Sequence, residues 1–382
     1  MDPKNAQPEQ PPRAGRSEPF PSGRLTFLSP KPLPTGLPPV DHGHAVGEVN
    51  NSYLDFGAGA TSVFGWQSTL GIPFFCFLLF AFCFLLGAFF FPFVVFLGGF
   101  TFGNGWEDAL WGWRVTFDFA FWIAVWGGLF GFFMLSLPRW QAYAKLKNVI
   151  PTRFNRQRRE VCFVPEGQKE PIFVPWEELV AWVTEAQGVT EYGVQRQYGF
   201  GIGFYHPETG EKYTLEFETY GQPQAVSNWE AVRAYMEYEV HTLKEIQDPL
   251  ELQGPDDPPW EGVHVFRNAR KRLHAEYRDG KRGVLYLTGW YLYHLMTFWT
   301  LPNRLVEWEV RKIKRMSRKA LPKAMAEWSE PLPEEQWAKP SEELKRQSKR
   351  VLELQKADPQ KPVTEIFAQV SEEFSAQTAM TA

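Results

Sequence analysis

Charge is the first thing missing. From Phe56 to Trp106 the sequence has no Asp, Glu, Lys, Arg or His. The middle of that stretch reads GIPFFCFLLFAFCFLLGAFFFPFVVFLGGF, Gly71 to Phe100. A soluble domain places charge on the outer face of each helix, and this run has none to place. Cysteine is scarce as well, at 3 residues. Cys76 and Cys83 stand one heptad apart in the apolar run, and Cys162 stands in a β-rich segment. Three thiols with apolar neighbours make neither a disulfide framework nor a zinc site, so they read as small packed hydrophobes. No cleavable signal peptide is evident, because MDPKNAQPEQPPRAGR has no apolar core behind it. There is no P-loop, nucleophile elbow, HExxH motif, paired CxxC or kinase signature. No catalytic residue, cofactor site or metal site is therefore nominated.

What is present starts with a second apolar run, Val115 to Leu137. Uncharged segments of about 20 residues match a hydrocarbon core of about 30 Å. The two runs predict a transmembrane helical hairpin over residues 70–138, with spans near 72–97 and 115–137. Pro92 and Gly98-Gly99 are read as the end of the first span, with a turn near 98–114. Trp106, Trp111 and Trp113 in that turn suit a headgroup belt. Asp118, four residues after Arg114, is read as half of an interfacial ion pair.

After the second run the chain turns basic. Arg139, Lys145, Lys147, Arg153, Arg156, Arg158 and Arg159 face one acid, Glu160. This excess predicts a cytoplasmic C-terminal part, and two spans return the N-terminus to the same side. Trp106, Trp111, Trp113, Arg139, Trp140, Arg153, Arg156, Arg158 and Arg159 are the candidate membrane-interface residues.

Residues 1–40 hold eleven prolines, and residues 1–55 are expected to form a disordered arm. Residues 150–245 are expected to fold as a cytoplasmic α+β domain. RREVCFV and KEPIFVP read as strands. Pro175 followed by two acids opens an expected helix, WEELVAWV. Residues 192–205 pair with Lys212–Tyr220 as a hairpin, because Tyr213, Leu215 and Phe217 alternate with polar residues. Gly199, Gly201 and Gly203 share one strand face and imply close approach of another backbone or helix. Ser227 and Glu230 read as a capping box for a helix that turns Ala225, Trp229, Val232, Tyr235, Met236 and Val240 inward. The order is compatible with a pleckstrin-homology-like antiparallel sheet capped by a helix.

Residues 260–323 form a basic and aromatic helical segment. Gly283 to Asn303 is uncharged for 21 residues, with seven Arg/Lys over 267–282 and eight over 304–323. Basic flanks on both sides argue against a crossing. An interfacial or domain-packed helix is expected instead, next to anionic headgroups. Residues 324–382 are a polar tail with one amphipathic helix, carrying Val363, Ile366, Phe367, Val370 and Phe374.

The Pro-rich start, PTRFNRQRREVCFV, VPWEELVAWV and NWEAVRAYMEY together resemble a family of uncharacterised proteobacterial two-helix membrane proteins. Its members are commonly encoded near type VI secretion genes and effectors, and the likeness covers roughly residues 60–320. It implies an inner-membrane, secretion-associated role, as immunity or effector-accessory protein, and transfers no activity. The combined expectation is a non-enzymatic interaction protein anchored in the bacterial inner membrane. Its partners are the lipid bilayer and a protein, an effector or a secretion component, with no nucleic acid. The alternative is a membrane-surface lipid-sensing or regulatory module.

Overall fold

A computed structural model describes residues 12–57, 62–102, 105–146, 150–165, 168, 170–190, 193–205, 212–248 and 252–381. The chain divides into two compact units. A sheet unit takes residues 1–59, 149–249 and 317–382, and a helical unit takes 60–148 and 250–316.

Among the described residues the sheet unit holds ten strands. Four come from the N-terminal segment: β1 (Ser17–Phe20), β2 (Gly23–Phe27), β3 (Val46–Val49) and β4 (Tyr53–Phe56). Six follow the apolar region: β5 (Thr152–Asn155), β6 (Glu160–Phe163), β7 (Ile172–Pro175), β8 (Val180–Thr190), β9 (Gly193–Tyr205) and β10 (Lys212–Thr219). They form two five-stranded sheets, β1-β2-β8-β9-β10 and β3-β4-β5-β6-β7. Every pairing within them is antiparallel.

The expected disordered arm, residues 1–55, is thus corrected for residues 12–55, while residues 1–11 lie outside the described residues. Its few apolar side chains suffice because the rest of the chain supplies the core. Leu28, Leu33 and Leu54 are completely buried, and Phe56 nearly so. The backbone is satisfied by distant strands, with Thr26 opposite Val183 and Leu54 opposite Phe154. Phe56 meets Phe154, Phe200 and Phe217 edge to face. Edge contacts of this kind add about 0.5–1.5 kcal/mol each beyond burial.

Two local expectations are also corrected. Trp176–Glu178 is a single 3-10 turn, and β8 takes over at Val180. The proline and acids do start a turn, but Val180 to Val183 are then all buried, in a strand that pairs on both sides, with β2 and β9. The first long sheet-capping helix, α3 (Gln222–Met236), begins at Gly221, so Ser227 and Glu230 sit inside it. The Ser227 hydroxyl donates to the Pro38 carbonyl, and Glu230 pairs with Arg233. The inward residues Ala225, Trp229, Val232, Tyr235, Met236 and Val240 are all buried.

The C-terminal segment closes the same core. α9 (Glu342–Ala357) and α10 (Val363–Thr381) pack on each other and place Leu344, Val351, Ile366, Phe367 and Val370 in it. Gly15 takes a left-handed φ of 84° where the N-terminal loop passes the α10 backbone at Ala368. A Cβ there would collide with that backbone, so only glycine fits. α4 (Leu243–Ile246) and α8 (Lys323–Trp328) complete the unit.

The helical unit holds α1 (Val63–Phe102), α2 (Gly105–Leu146), α5 (Val263–Arg278), α6 (Val284–Met296) and most of α7 (Leu301–Ala320). Here the expected fold class is overturned. The protein is α+β with two antiparallel sheets and helices, not a two-helix membrane anchor beside one sheet. Among the described residues one helical segment, Leu110–Met134, is long and apolar enough to cross a membrane. The other apolar stretch, Val63–Leu79, is shorter. Pro92 does not end α1, and the expected turn over 98–114 is occupied by the end of α1 and the start of α2. Residues 103–104 lie outside the described residues.

Candidate functional site

Two sets of residues bear on function, one in each unit. The first is the surface of the helical unit. In Leu110–Met134 the side chains of Trp122, Trp126, Phe130 and Phe133 are all more than half exposed. Trp106, Trp111 and Trp140 are exposed too, at 67%, 65% and 70%. The side chains of Trp113 and Arg139 lie outside the described residues. Water gains nothing from such a helix, since each buried aromatic side chain is worth roughly 1.5–3 kcal/mol when removed from it.

The same unit clasps its helices by polar ties at their ends. The Trp66 indole in α1 donates to the Glu309 carboxylate in α7 at 2.8 Å. Glu261 accepts from the Val63 amide at the start of α1. Glu307 accepts from the Val263 amide at the start of α5, and Asn303 donates to the Gly262 carbonyl. These carboxylates satisfy helix N-terminal amides that would otherwise lack partners.

α6 is the expected uncharged segment, and it is 13 residues long. That length rises about 20 Å, too short for a hydrocarbon core. Phe298 and Trp299 adopt left-handed φ values of 64° and 55°, and α7 starts two residues later. One side of α6 joins a cluster of rings: Phe266 of α5 touches Trp290, His294 and Trp299 at centroid distances of 5.0 to 5.5 Å. Burial holds the His294 imidazole below its usual pKa, and its Nδ1 lies 2.8 Å from the Trp290 carbonyl. The other side of α6 exposes Leu285, Leu292 and Leu295.

The second set is the arginine run of β5 and the following turn. Arg153 is 4% exposed and forks onto Asp55, Nε to Oδ1 at 2.6 Å and Nη2 to Oδ2 at 2.8 Å. Its Nη1 donates to Ser329, and its guanidinium sits 3.6 Å from the centroid of the Tyr53 ring. Arg156 donates to the Asn51 and Val240 carbonyls and lies 4.7 Å from both the Tyr235 and Tyr238 rings. Arg159 forks onto Glu237, which also accepts from the Trp176 indole. Arg158 donates to the Trp328 carbonyl at 2.9 Å. The membrane-interface expectation for these four is corrected, because their charges are spent inside the sheet unit. A basic run after an apolar helix resembles a positive-inside signal, and only the distant partners Asp55 and Glu237 reveal the other use.

The electrostatics follow from that burial. Desolvation raises the Asp55 carboxyl against the opposing pull of Arg153. Burial likewise pushes the Cys162 thiol up to about 12, so it stays protonated and unreactive at neutral pH. Among the described residues no three His, Cys, Asp or Glu side chains gather as a metal site. His42 meets Asp248 at 3.0 Å, and His44 meets Gln247.

Two features escaped the sequence. The expected close approach of another backbone holds at Gly203, where an added Cβ would first meet the Tyr213 carbonyl, but at Gly201 the Trp182 ring fills the space. Its indole donates to Glu216 at 3.0 Å. The period-two glycines pointed to close approach, but nothing local named the ring that makes it. The aromatic cluster about Phe266 had only compositional warning in its Trp, Tyr and His residues. Arg114 and Asp118 are both exposed, and no ion pair joins them among the described residues.

Comparison of the chain with protein-family models, with curated proteins and with solved structures gives no match.

Proposed function

We propose that this chain is a non-enzymatic interaction protein attached to the bacterial inner membrane. The helical unit holds the bilayer, and the sheet unit presents a rigid surface to a protein partner, an effector or a secretion component. The observation that carries this reading is the exposed aromatic surface of Leu110–Met134, the one segment of spanning length among the described residues. The sheet unit supports it differently. Its buried cations are locked to Asp55, Glu237 and Glu230, an arrangement that fixes a scaffold. Its β10 edge is open in the sheet order, and Tyr220 beyond it is 93% exposed. An open strand edge is a common place for a partner strand to add. The secretion context rests on the sequence resemblance alone.

Alkaline carbonate extraction tests the attachment. The full chain should stay with the membrane fraction, and Trp122→Lys with Trp126→Lys should release it. Each lysine at mid-helix costs about 2.5–3.5 kcal/mol on insertion scales. Release of the unmodified chain would overturn the reading. A photo-reactive residue at Tyr220 should capture a specific protein in cells carrying type VI secretion genes, and none from cells lacking them.

A further inference from the structure

We infer that α6 lies in the headgroup layer of an anionic leaflet, with the arginines of α5 and α7 bound to lipid phosphates. The inference rests on the membrane attachment proposed above and adds a lipid class and a surface to it. The leucine side of α6 is its first support. Leu285, Leu292 and Leu295 are 90%, 58% and 67% exposed, although the opposite side of the same helix is packed into a ring cluster. Residues 285, 292 and 295 share one helical face. Thirteen residues cannot cross a bilayer, so this stripe has to be covered while the helix stays on one side.

The cover is identified by charge. Arg267, Arg270 and Arg278 stand at i, i+3 and i+11 on α5, and all three are exposed. Arg304, Arg311 and Arg315 stand at i, i+7 and i+11 on α7, also exposed on one face, with exposed Trp308 among them. Arg267, Arg270, Arg278, Arg304 and Arg315 have no carboxylate partner among the described residues. An exposed leucine face on α6 and exposed arginine faces on α5 and α7 of the same unit, with a tryptophan on one of them, match a headgroup boundary. There the apolar side enters the acyl region and each guanidinium meets phosphate oxygens in a fork. A protein partner would need an apolar groove rimmed by acids on both sides. The helical unit already contains the spanning-length segment, which brings a bilayer to it without a further partner.

The test uses the full chain with Cys76, Cys83 and Cys162 changed to serine or alanine, and Leu292→Cys carrying a polarity-sensitive fluorophore. It is reconstituted in phosphatidylcholine vesicles with or without phosphatidylglycerol. With phosphatidylglycerol the emission should shift to the blue, and lipids carrying a shallow nitroxide should quench it. In phosphatidylcholine alone, or in high salt, both effects should fade. Arg267→Gln, Arg270→Gln and Arg278→Gln should each lower the docked-to-undocked ratio about five-fold. Arg24→Gln, a charge of the sheet unit, should leave it unchanged. A water-like emission in both vesicles overturns the inference. So does quenching that ignores lipid charge, and so does a blue shift without nitroxide quenching, which would mean that protein covers the stripe. Carbonate resistance is read separately, so membrane attachment can stand when this fails.

Discussion

The indole of Trp182 occupies the space that a side chain at Gly201 would fill. The two residues are opposite each other in the β8–β9 ladder. Gly201→Ala should therefore push the ring from its site and break its hydrogen bond to Glu216. A loss of about 1–3 kcal/mol is expected from overpacking, read by denaturant unfolding. Gly188→Ala is the control, because a Cβ there meets nothing within 4 Å. That variant should be neutral or slightly stabilising.

Asp55→Ala should cost about 3–5 kcal/mol, since it strands the Arg153 guanidinium in the core. Replacing both partners should cost clearly less than the two single losses added together. A double-mutant cycle by chemical unfolding gives the coupling, and additive losses would show that the fork contributes nothing.

Ser341 ties α9 to the 3-10 turn before β8. Its hydroxyl and its amide both donate to Glu177, and the hydroxyl caps the helix at Leu344. Desolvation alone would raise the Glu177 carboxyl, but the Ser341 bonds, with Lys31 and Arg159 nearby, hold it below its usual value. A depressed carboxyl stabilises the fold above its unfolded pKa, near 4.5, and that gain is lost as pH falls through the folded value. Ser341→Ala should lower stability by about 1–2 kcal/mol at neutral pH. The gap to the unmodified chain should narrow below pH 4.5 as Glu177 protonates. A gap that widens in acid would refute this account.

Phe367→Ala should cost about 3–5 kcal/mol, because the ring is completely buried in the core. Loss of protection should appear in the amides of α10 by hydrogen exchange. An unchanged exchange pattern would mean that α10 does not close the core.

The parts legible in the sequence were those whose partners lie nearby. The β9–β10 hairpin follows from alternation on either side of a turn, and Glu216 does sit opposite Gly201. The α10 face follows from its helical spacing, and Ile366, Phe367 and Val370 are buried as that spacing implies. Illegible parts depend on residues far along the chain. Nothing around Leu25 announces a partner at Thr184, and nothing around Arg153 announces Asp55. Pro175 with its acids is a true start signal that tertiary pairing overrides by Val180. In the candidate site, the aromatic and basic character of residues 267–315 was visible, but the bend at Phe298–Trp299 was not. That bend decides that α6 is short.

The interleaving of the sheet unit sets a timetable for its birth. Leu33 and Val370 share one core, so the first of them must wait until the last is made. At about 5–20 residues per second, that wait is on the order of tens of seconds. Throughout it, β1 to β4 lack the partners that bury them, while the uncharged stretch of α1 and α2 has already left the ribosome. The apolar helices are therefore exposed before any sheet exists to compete for them. Contacts of such long range also make the final closure slow. The order in which the two units of this chain can fold is thus written into the route its strands take.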